Sequence, residues 1–203
     1  KITISTPFKV KIPASFSRLG HVGQSYQITQ WYPKPAVYDR KGWHQMPYLD
    51  AGEFFSEFGR FEVAITLPAN YVVGATGVLL DESERLFLQK KETETREFLL
   101  QKNVNNPDDP FPPSDPALKT LRFTADSVHD FAWFADKRFL VLSDSARLAN
   151  QKIVPCMAMF TRSQAELWRE GAFYVKRAVE FYSQHVGPYP WPHATAVHSA
   201  LSA

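Results

Sequence analysis

The sequence contains six histidines, and imidazole is a common zinc ligand and the usual proton carrier near neutral pH. A metal-binding helix of the H-E-x-x-H type needs two histidines one helical turn apart, so that both rings face one ion. The histidines here are His21, His44, His129, His185, His193 and His198. No two of them are four residues apart. We therefore predict no metal ligand and no catalytic residue in this chain, and we interpret these side chains as surface or loop histidines.

One short segment holds the residue types of a serine hydrolase triad. Ser127, His129 and Asp130 are near neighbours in sequence, whereas a triad is normally assembled from distant parts of a chain. The segment therefore favours a polar turn in which Ser127 or Asp130 caps backbone amides before a strand at Phe131. A serine hydrolase that uses Ser127 or Ser25 is the weakest functional hypothesis, because the chain has no G-x-S-x-G motif.

Aromatic side chains concentrate in a proline-broken segment. Packing inside a loop is the commoner role of such a group, and a surface for sugars or for a protein partner is the alternative. The aromatic cluster comprises Trp31, Tyr32, Tyr38, Trp43 and Tyr48. Glu53 and Glu57 follow, four residues apart, but the phenylalanines around them indicate a loop anchored in a core rather than an acid–base pair. These phenylalanines are Phe54, Phe55 and Phe58.

Composition is typical of ordinary globular proteins. Of the 203 residues, 44% are hydrophobic and 22% are charged, and the formal net charge is only +2. These values exclude intrinsic disorder and argue against a nucleic-acid-binding protein. Cys156 is the only cysteine, so neither an internal disulfide nor a cysteine-rich zinc site can form. The apolar runs are too short to span a membrane, and the first residues lack a signal-peptide pattern, which leaves the cellular compartment open.

The first three quarters of the chain predict mainly antiparallel β structure. Apolar and polar residues alternate over 1–12, 26–31 and most clearly 60–67, and 71–80 supplies a neighbouring strand. Two glycines inside 71–80 predict a bulge or a close backbone approach. A helix over 84–103 and a proline-rich loop over 103–116 follow. Strand signals then resume at 119–125, 132–134, 138–142 and 153–160.

A long amphipathic helix is predicted after these strands. Ser163 and Glu166 fit a capping box, in which a hydroxyl and a carboxylate satisfy backbone amides reciprocally. Apolar residues then recur every three or four positions, which predicts one continuous helix over 164–186 that ends at Gly187 and Pro188. The apolar stripe comprises Trp168, Ala172, Val175, Val179, Tyr182 and Val186. Residues 194–198 predict one further strand.

These elements predict a mainly β protein with two parts. Residues 1–162 form an antiparallel β sandwich or sheet domain, and residues 163–203 add one long helix and one strand. A one-faced helix and a single strand have too few partners to bury their apolar surfaces. We therefore expect 163–203 to be the beginning of a truncated α/β domain.

Five motifs together resemble one protein family. They are Gln30-Trp-Tyr-Pro-Lys-Pro-Ala-Val-Tyr-Asp39, Gly42-Trp-His44, Gly52-Glu-Phe-Phe-Ser-Glu-Phe-Gly59, Val128-His-Asp-Phe-Ala-Trp133 and Val186-Gly-Pro-Tyr-Pro-Trp191. Their order and spacing cover most of the chain. They are similar to those of the aminopeptidase N-like zinc metallopeptidases, also called gluzincins.

The resemblance implies both an architecture and an activity. Family members have a saddle-shaped N-terminal β domain followed by a thermolysin-like catalytic domain. Residues 1–162 would be the later part of the first, and residues 163–203 the first helix and strand of the second. In the family, zinc, a glutamate of the H-E-x-x-H helix and a tyrosine carry out peptide hydrolysis. These groups and the G-x-M-E-N motif would follow Ala203, so we expect zinc in the full-length protein, no cofactor in this chain, and no hydrolysis by this chain alone.

The resemblance also implies one substrate-binding residue. In related enzymes a glutamine at the rim of the β domain helps to hold the free α-amino group of the peptide, and Gln30 matches its position. The segment departs from the commoner family pattern, which has an arginine and a different proline spacing, so Gln27 and ordinary strand packing are alternatives. The expected partners are the peptide substrate and the rest of the catalytic domain, with no nucleic acid and no membrane span.

A second functional class is also open. The chain could be a β-rich binding or scaffold module, including one from a family member that has lost its zinc site. The aromatic cluster and the missing metal ligands favour this alternative.

Overall fold

The computed structural model describes residues 2–15, 18–46, 55–101, 104 and 109–199. Of these residues, 36% lie in strands and 22% in helices, which confirms the predicted mainly β fold. Within the described ranges the strands form four sheets, with strand orders β1-β2-β9-β6, β5-β8-β7, β10-β11-β12 and the hairpin β3-β4. All pairings are antiparallel except that of β11 with β12.

The strands and helices have the following bounds. The strands are β1 (Gly20–Val22), β2 (Ser25–Ile28), β3 (Val37–Asp39), β4 (Gly42–His44), β5 (Gly59–Pro68), β6 (Val72–Ala75), β7 (Val78–Leu79), β8 (Leu118–Val128), β9 (Trp133–Asp136), β10 (Leu140–Arg147), β11 (Ile153–Phe160) and β12 (Ala194–Val197). The helices are α1 (Glu82–Leu99), α2 (Ala165–Trp168) and α3 (Gly171–His185). No described helix is both long and apolar enough to cross a lipid bilayer.

The longest strand pair, β5 with β8, builds the first hydrophobic core. Its register places Val63 opposite Phe123 and Ile65 opposite Leu121. Apolar and polar residues alternate along 60–67, so the apolar face of β5 points inward, as predicted. This core joins the β5 sheet to the four-stranded sheet. Its buried members are Ile65, Leu67, Tyr71, Val73, Leu121, Phe123, Phe131 and Ala135.

The two glycines predicted to mark a bulge or close approach lie where β6 and β7 separate. Gly77 has φ +87°, and a Cβ there would lie 2.4 Å from the carbonyl oxygen of Thr124. A Cβ on Gly74 would lie 2.9 Å from Sδ of Met159. The predicted close backbone approach is therefore confirmed at Gly77, whereas the near neighbour of Gly74 is the side chain of Met159.

The β10-β11-β12 sheet carries α3 on one face. β12 pairs with β11 in parallel, with Cys156 opposite Ala194 and Met159 opposite Val197. α3 packs across all three strands of this sheet. The boundary between residues 162 and 163 stays a prediction, and one sheet contains strands from both sides of it.

The predicted helix over 164–186 is wrong in one respect, because it is interrupted between α2 and α3. Glu170 leaves the helical conformation at φ −108° and ψ 14°, and Gly171 approaches β11 so closely that a Cβ there would lie 2.9 Å from Cβ of Ala158. The predicted capping box does not begin the helix, because the N-caps are Thr161 and Gln164 and neither makes a side-chain cap hydrogen bond. Of the predicted stripe, Ala172 and Val179 are buried, whereas Tyr182 and Val186 are exposed.

Two further differences concern the first part of the chain. The strand predicted over 1–12 is wrong, because residues 2–12 form no regular structure and their apolar side chains, including Ile2 and Ile4, are largely exposed. The hairpin β3-β4 was not predicted, because prolines surround it. Its turn forms because Oδ1 of Asp39 accepts a hydrogen bond from the amide of Lys41 at 2.7 Å and Gly42 adopts φ +103°.

Candidate functional site

Gln30 follows β2 in a strained backbone conformation. Its φ is +52°, in the left-handed region, which costs a residue other than glycine about 1–3 kcal/mol. After this turn, the alternate side chains of Gln30, Tyr32 and Lys34 all reach one carboxylate, that of Asp130. We therefore attribute the persistence of the strained conformation to the shared contact with Asp130.

Asp130 accepts three hydrogen bonds and forms one ion pair. Gln30 donates through Nε2 to Oδ2, and Tyr32 donates through its hydroxyl to Oδ1 at 3.0 Å. Nζ of Lys34 lies 3.1 Å from Oδ2, and the amide of Phe131 donates to Oδ1 at 2.7 Å. The last bond confirms the predicted backbone cap by Asp130. We call Gln30, Tyr32, Lys34 and Asp130 the Asp130 cluster.

The cluster joins two of the five sequence motifs. Nε1 of Trp31 donates to the carbonyl of Phe131 at 2.9 Å, so the segment that begins at Gln30 is fixed along the segment that contains Asp130. One hundred positions separate the two segments, and the sequence carried no signal that Asp130, Tyr32 and Lys34 would meet Gln30. The only hint was the residue types, since an amide, a phenol and an ammonium group can all donate to a carboxylate.

Burial and charge set the protonation of Tyr32. Burial raises the pKa of Tyr32 far above its ordinary value, and the negative charge of Asp130 and the hydrogen bond to it raise the pKa further. The phenol therefore stays protonated and donates to Asp130 throughout the biological pH range. The side chains of Lys34 and Asp130 are 19% and 18% exposed, so this ion pair is largely shielded from solvent.

A cavity of about 380 Å³ lies beside the Asp130 cluster. Its walls come from the turn after β6, from the end of β8 with the segment up to Asp130, and from residues 189–197. Apolar side chains dominate the lining, among them Val128, Phe134 and Val197, while Asp130 and His193 bring polar groups. A mostly apolar cavity with few polar groups is the usual form of a small-ligand site.

His193 ties the third wall of the cavity to the first. Its Nε2 lies 2.7 Å from the carbonyl oxygen of Gly77, and its Nδ1 lies 3.1 Å from the hydroxyl of Thr195. A carbonyl only accepts, so Nε2 carries the proton and Nδ1 accepts from Thr195. Burial lowers the pKa of His193, which favours this neutral form. The role of His193 was missed, since a single histidine after a proline carries no spacing signal.

We expect the link through His193 to make stability depend on pH. Because the folded protein holds a lowered pKa, the unfolded chain protonates first as pH falls below the ordinary value of 6.5. The free energy of unfolding is therefore complete above that pH and decreases below it. In His193→Gln, a neutral amide can still donate to Gly77. Thermal unfolding at pH 7 and pH 5 should show a smaller loss of Tm in this variant than in the wild type.

Comparison of the wild type with His193→Gln separates the effect of His193 from the effects of other ionisable groups nearby. Asp126, His129 and Asp130 line the same cavity, and burial also lowers the pKa of His198. All four are unchanged in the variant, so only the difference between the two proteins is assigned to His193. An equal loss of Tm in both proteins would contradict the assignment.

Gln27, the alternative to Gln30, is enclosed in the protein. It is 2% exposed, and neither its amide nitrogen nor its amide oxygen has a hydrogen-bond partner within the described part of the chain. A side chain so placed has no access to a peptide, whereas Gln30 is only partly buried. The geometry therefore favours Gln30 as the binding candidate.

The unpartnered amide of Gln27 leads to a stability prediction. A buried polar group without a partner costs about 1–3 kcal/mol, and methionine has a similar shape without the amide. Gln27→Met should therefore raise the free energy of unfolding by about 1 kcal/mol. Urea unfolding of both proteins measures this difference. Destabilisation by a similar amount would mean that the amide has a partner, such as a buried water molecule.

The side chains of the other candidate catalytic motifs do not come together in the structure. Ser25 is buried within β2, and no hydrogen bond joins Ser127, His129 and Asp130 to one another in the described chain. Phe55 and Phe58 are exposed, at 48% and 64%, so the prediction that they anchor a core is wrong. Their rings instead contact His44 and His129. Tyr48, Glu53 and Phe54 lie outside the described residues.

The aromatic cluster is divided between core and surface. Trp31 and Tyr32 pack against the core shared by the β5 sheet and the four-stranded sheet. Tyr38 and Trp43 face each other across the hairpin β3-β4 with ring centroids 4.9 Å apart, and each is 66% exposed. Trp31 and Tyr32 therefore have a packing role, whereas Tyr38 and Trp43 form an exposed aromatic surface.

The described residues do not fit a zinc site. Among them, no group of three or more histidine, cysteine, aspartate or glutamate side chains surrounds a common point. His193 is bonded to Gly77 and Thr195, and His198 lies against the ring of Trp168.

Searches with family models and against curated proteins find no match for this chain.

Proposed function

We propose that this chain is the substrate-flanking part of a zinc-dependent aminopeptidase and contributes to binding of the peptide amino terminus. The observation that carries the proposal is the position of Gln30. Its amide is held by Asp130, and Asp130 lines a cavity large enough for a small ligand. The residue singled out by the family resemblance thus contacts a residue of the cavity wall, while the alternative Gln27 is enclosed.

The chemistry of the cluster suits a protonated amine. An α-ammonium group donates three hydrogen bonds and carries a positive charge, so it needs an acceptor in a negative or neutral setting. Oε1 of Gln30 has no partner among the described residues and is such an acceptor. The mainly apolar cavity that Asp130 lines would receive a side chain or backbone of the peptide.

An exposed apolar surface on α3 supports the proposal that this chain lies next to a further domain. Four aromatic side chains of α3 are about half exposed or more: Phe173, Tyr174, Phe181 and Tyr182. The rings of Phe173 and Tyr174 contact each other, as do those of Phe181 and Tyr182, and exposed apolar surface is typical of an interface. We propose that the rest of the catalytic domain covers it and that the zinc ligands lie there, outside the described residues.

The proposal is tested on the longest natural polypeptide that contains these 203 residues. We expect that polypeptide to bind zinc and to release N-terminal residues from peptides, with loss of activity on chelation. The 203-residue chain alone is the matched control and should release nothing. A longer polypeptide that binds no zinc and cleaves no peptide would overturn the proposal.

A β-rich binding module is the second candidate, and the exposed pair of Tyr38 and Trp43 favours it. Two aromatic rings on a short hairpin can stack on a sugar or pack against a protein. The variant with Tyr38→Ser and Trp43→Ser should keep its fold, since both side chains are exposed. If this variant retains full peptidase activity but loses a binding partner that the wild type retains, the hairpin has a separate binding role. If it loses no binding, this candidate fails.

A further inference from the structure

We infer that Asp130 is a positioning residue that orients the amide of Gln30, so that Gln30 presents an acceptor and not a donor to a peptide amine. The inference rests on the proposed function, because it deepens the role of Gln30 in that site. It concerns a residue that the family resemblance did not single out.

The orientation of the Gln30 amide follows from the chemistry of its partner. An ionised carboxylate can only accept hydrogen bonds, so the nitrogen of the amide must face Asp130. Nε2 donates to Oδ2 of Asp130, and the oxygen therefore points away from the carboxylate. Oε1 has no partner among the described residues, which leaves it as the free polar atom of the side chain.

The other members of the cluster hold Asp130 in place. The ammonium of Lys34 lies 3.1 Å from Oδ2. Tyr32 and the amide of Phe131 both donate to Oδ1, so the plane of the carboxylate is fixed from its other side. Asp130 is thus rigid enough to fix the amide that it contacts.

Asparagine at position 130 should reverse the amide of Gln30. The backbone amide of Phe131 is an obligatory donor, so the oxygen of asparagine must occupy the place of Oδ1. Its NH₂ group then occupies the place of Oδ2 and faces Gln30. Gln30 must turn its oxygen toward that NH₂ group, and its own NH₂ group becomes the free polar group. A donor then faces the peptide ammonium, which repels it.

The test compares four proteins with two substrates. The proteins are the wild type, Asp130→Asn, Gln30→Leu and the double variant, each in the longest natural polypeptide. The substrates are a peptide with a free amino terminus and the same peptide N-acetylated, and the quantity is the ratio of their kcat/KM values. Asp144→Asn is the matched control, since Asp144 also forms an ion pair with a lysine but lies outside the cavity and does not contact Gln30.

We expect Asp130→Asn to lower the ratio by about ten- to hundredfold, mainly through KM of the free peptide, because a hydrogen bond to a charged group is lost. In the Gln30→Leu background the same change should have no further effect on the ratio. Asp144→Asn should leave the ratio unchanged. If Asp130→Asn lowers kcat/KM equally for both peptides, or acts undiminished in the Gln30→Leu background, the inference is overturned.

An NMR readout separates failure of this inference from failure of the proposed function. In the ¹⁵N-labelled 203-residue chain, the side-chain NH₂ resonances of Gln30 should move in Asp130→Asn and stay in place in Asp144→Asn. Unmoved resonances would overturn the positioning role whatever the activity. Moved resonances combined with a Gln30→Leu enzyme of unchanged ratio would support positioning by Asp130 and overturn the amine-binding role of Gln30.

Discussion

Gly77→Ala should destabilise the protein by about 3 kcal/mol, which for a chain of this length lowers Tm by about 10 °C. Two costs add. The backbone of Gly77 has φ +87°, and a non-glycine residue there is strained by about 1–2 kcal/mol. The new Cβ would also lie 2.4 Å from the carbonyl oxygen of Thr124, so β7 and β8 must move apart. Overpacking of this kind costs about 1–3 kcal/mol.

Gly42→Ala is the matched control for this prediction. Gly42 also has positive φ, +103°, but nothing lies within 4 Å of the Cβ that would be added. The substitution therefore adds strain without a steric clash and should cost about 1 kcal/mol. Chemical denaturation of the three proteins measures both differences. Equal losses at the two positions would contradict the close approach of Gly77 to β8.

Gly77→Ala should also disturb the candidate functional site, because Gly77 lines the cavity and its carbonyl is bonded to His193. Movement of the turn would separate Gly77 from residues 189–197. In the longer polypeptide we therefore expect Gly77→Ala to lose activity at temperatures where the wild type is stable, while Gly42→Ala keeps it.

The second large effect is expected at a buried ion pair between α1 and β8. Nζ of Lys119 lies 2.7 Å and 2.8 Å from the two carboxylate oxygens of Glu84, and it lies over the ring of Phe87. Glu84 is 4% exposed. Lys119→Met removes the partner and leaves a buried carboxylate unpaired, which should cost about 3–5 kcal/mol at neutral pH.

The pH dependence of that variant has a defined sign. Burial raises the pKa of Glu84 and the hydrogen bond from Lys119 opposes this rise, so removal of Lys119 raises the pKa further. A raised carboxyl pKa means that the folded state binds the proton more tightly, and the free energy of unfolding increases as pH falls toward the ordinary value. Lys119→Met should thus regain part of its stability near pH 5 relative to pH 7.

A double substitution provides the control. Glu84→Leu combined with Lys119→Met removes both charges and should be close to the wild type in stability, because replacement of a whole buried pair is often neutral. Urea denaturation at pH 5 and pH 7 measures all three proteins. If the single variant is as stable as the double variant at both pH values, the ion pair does not bury the charge of Glu84.

Local sequence patterns predicted elements in which one face packs inward and the other faces outward. The segment 60–67, in which apolar and polar residues alternate, forms β5 as predicted. The glycine signal in 71–80 corresponds to the close approach between Gly77 and Thr124. The same reasoning failed for residues 1–12, because alternation shows only that a strand could bury one face. Whether a partner strand is available depends on the rest of the fold.

The candidate site was accessible from sequence only in part. Gln30 was selected through the family resemblance, and the structure adds its strained φ and its contact with Asp130. The cavity and the link through His193 depend on segments far apart in sequence, and no spacing rule brings them together. The break before Gly171 likewise depends on its distance from Ala158, a tertiary contact that helix periodicity does not contain.

The most direct test of the proposed function is discrimination between free and blocked amino termini. In the longest natural polypeptide, kcat/KM should be far higher for a peptide with a free amine than for its N-acetylated form. Gln30→Leu should lower only the former, by about ten- to hundredfold. An enzyme that cleaves both peptides equally well, or whose preference survives Gln30→Leu unchanged, would contradict the role assigned to this chain.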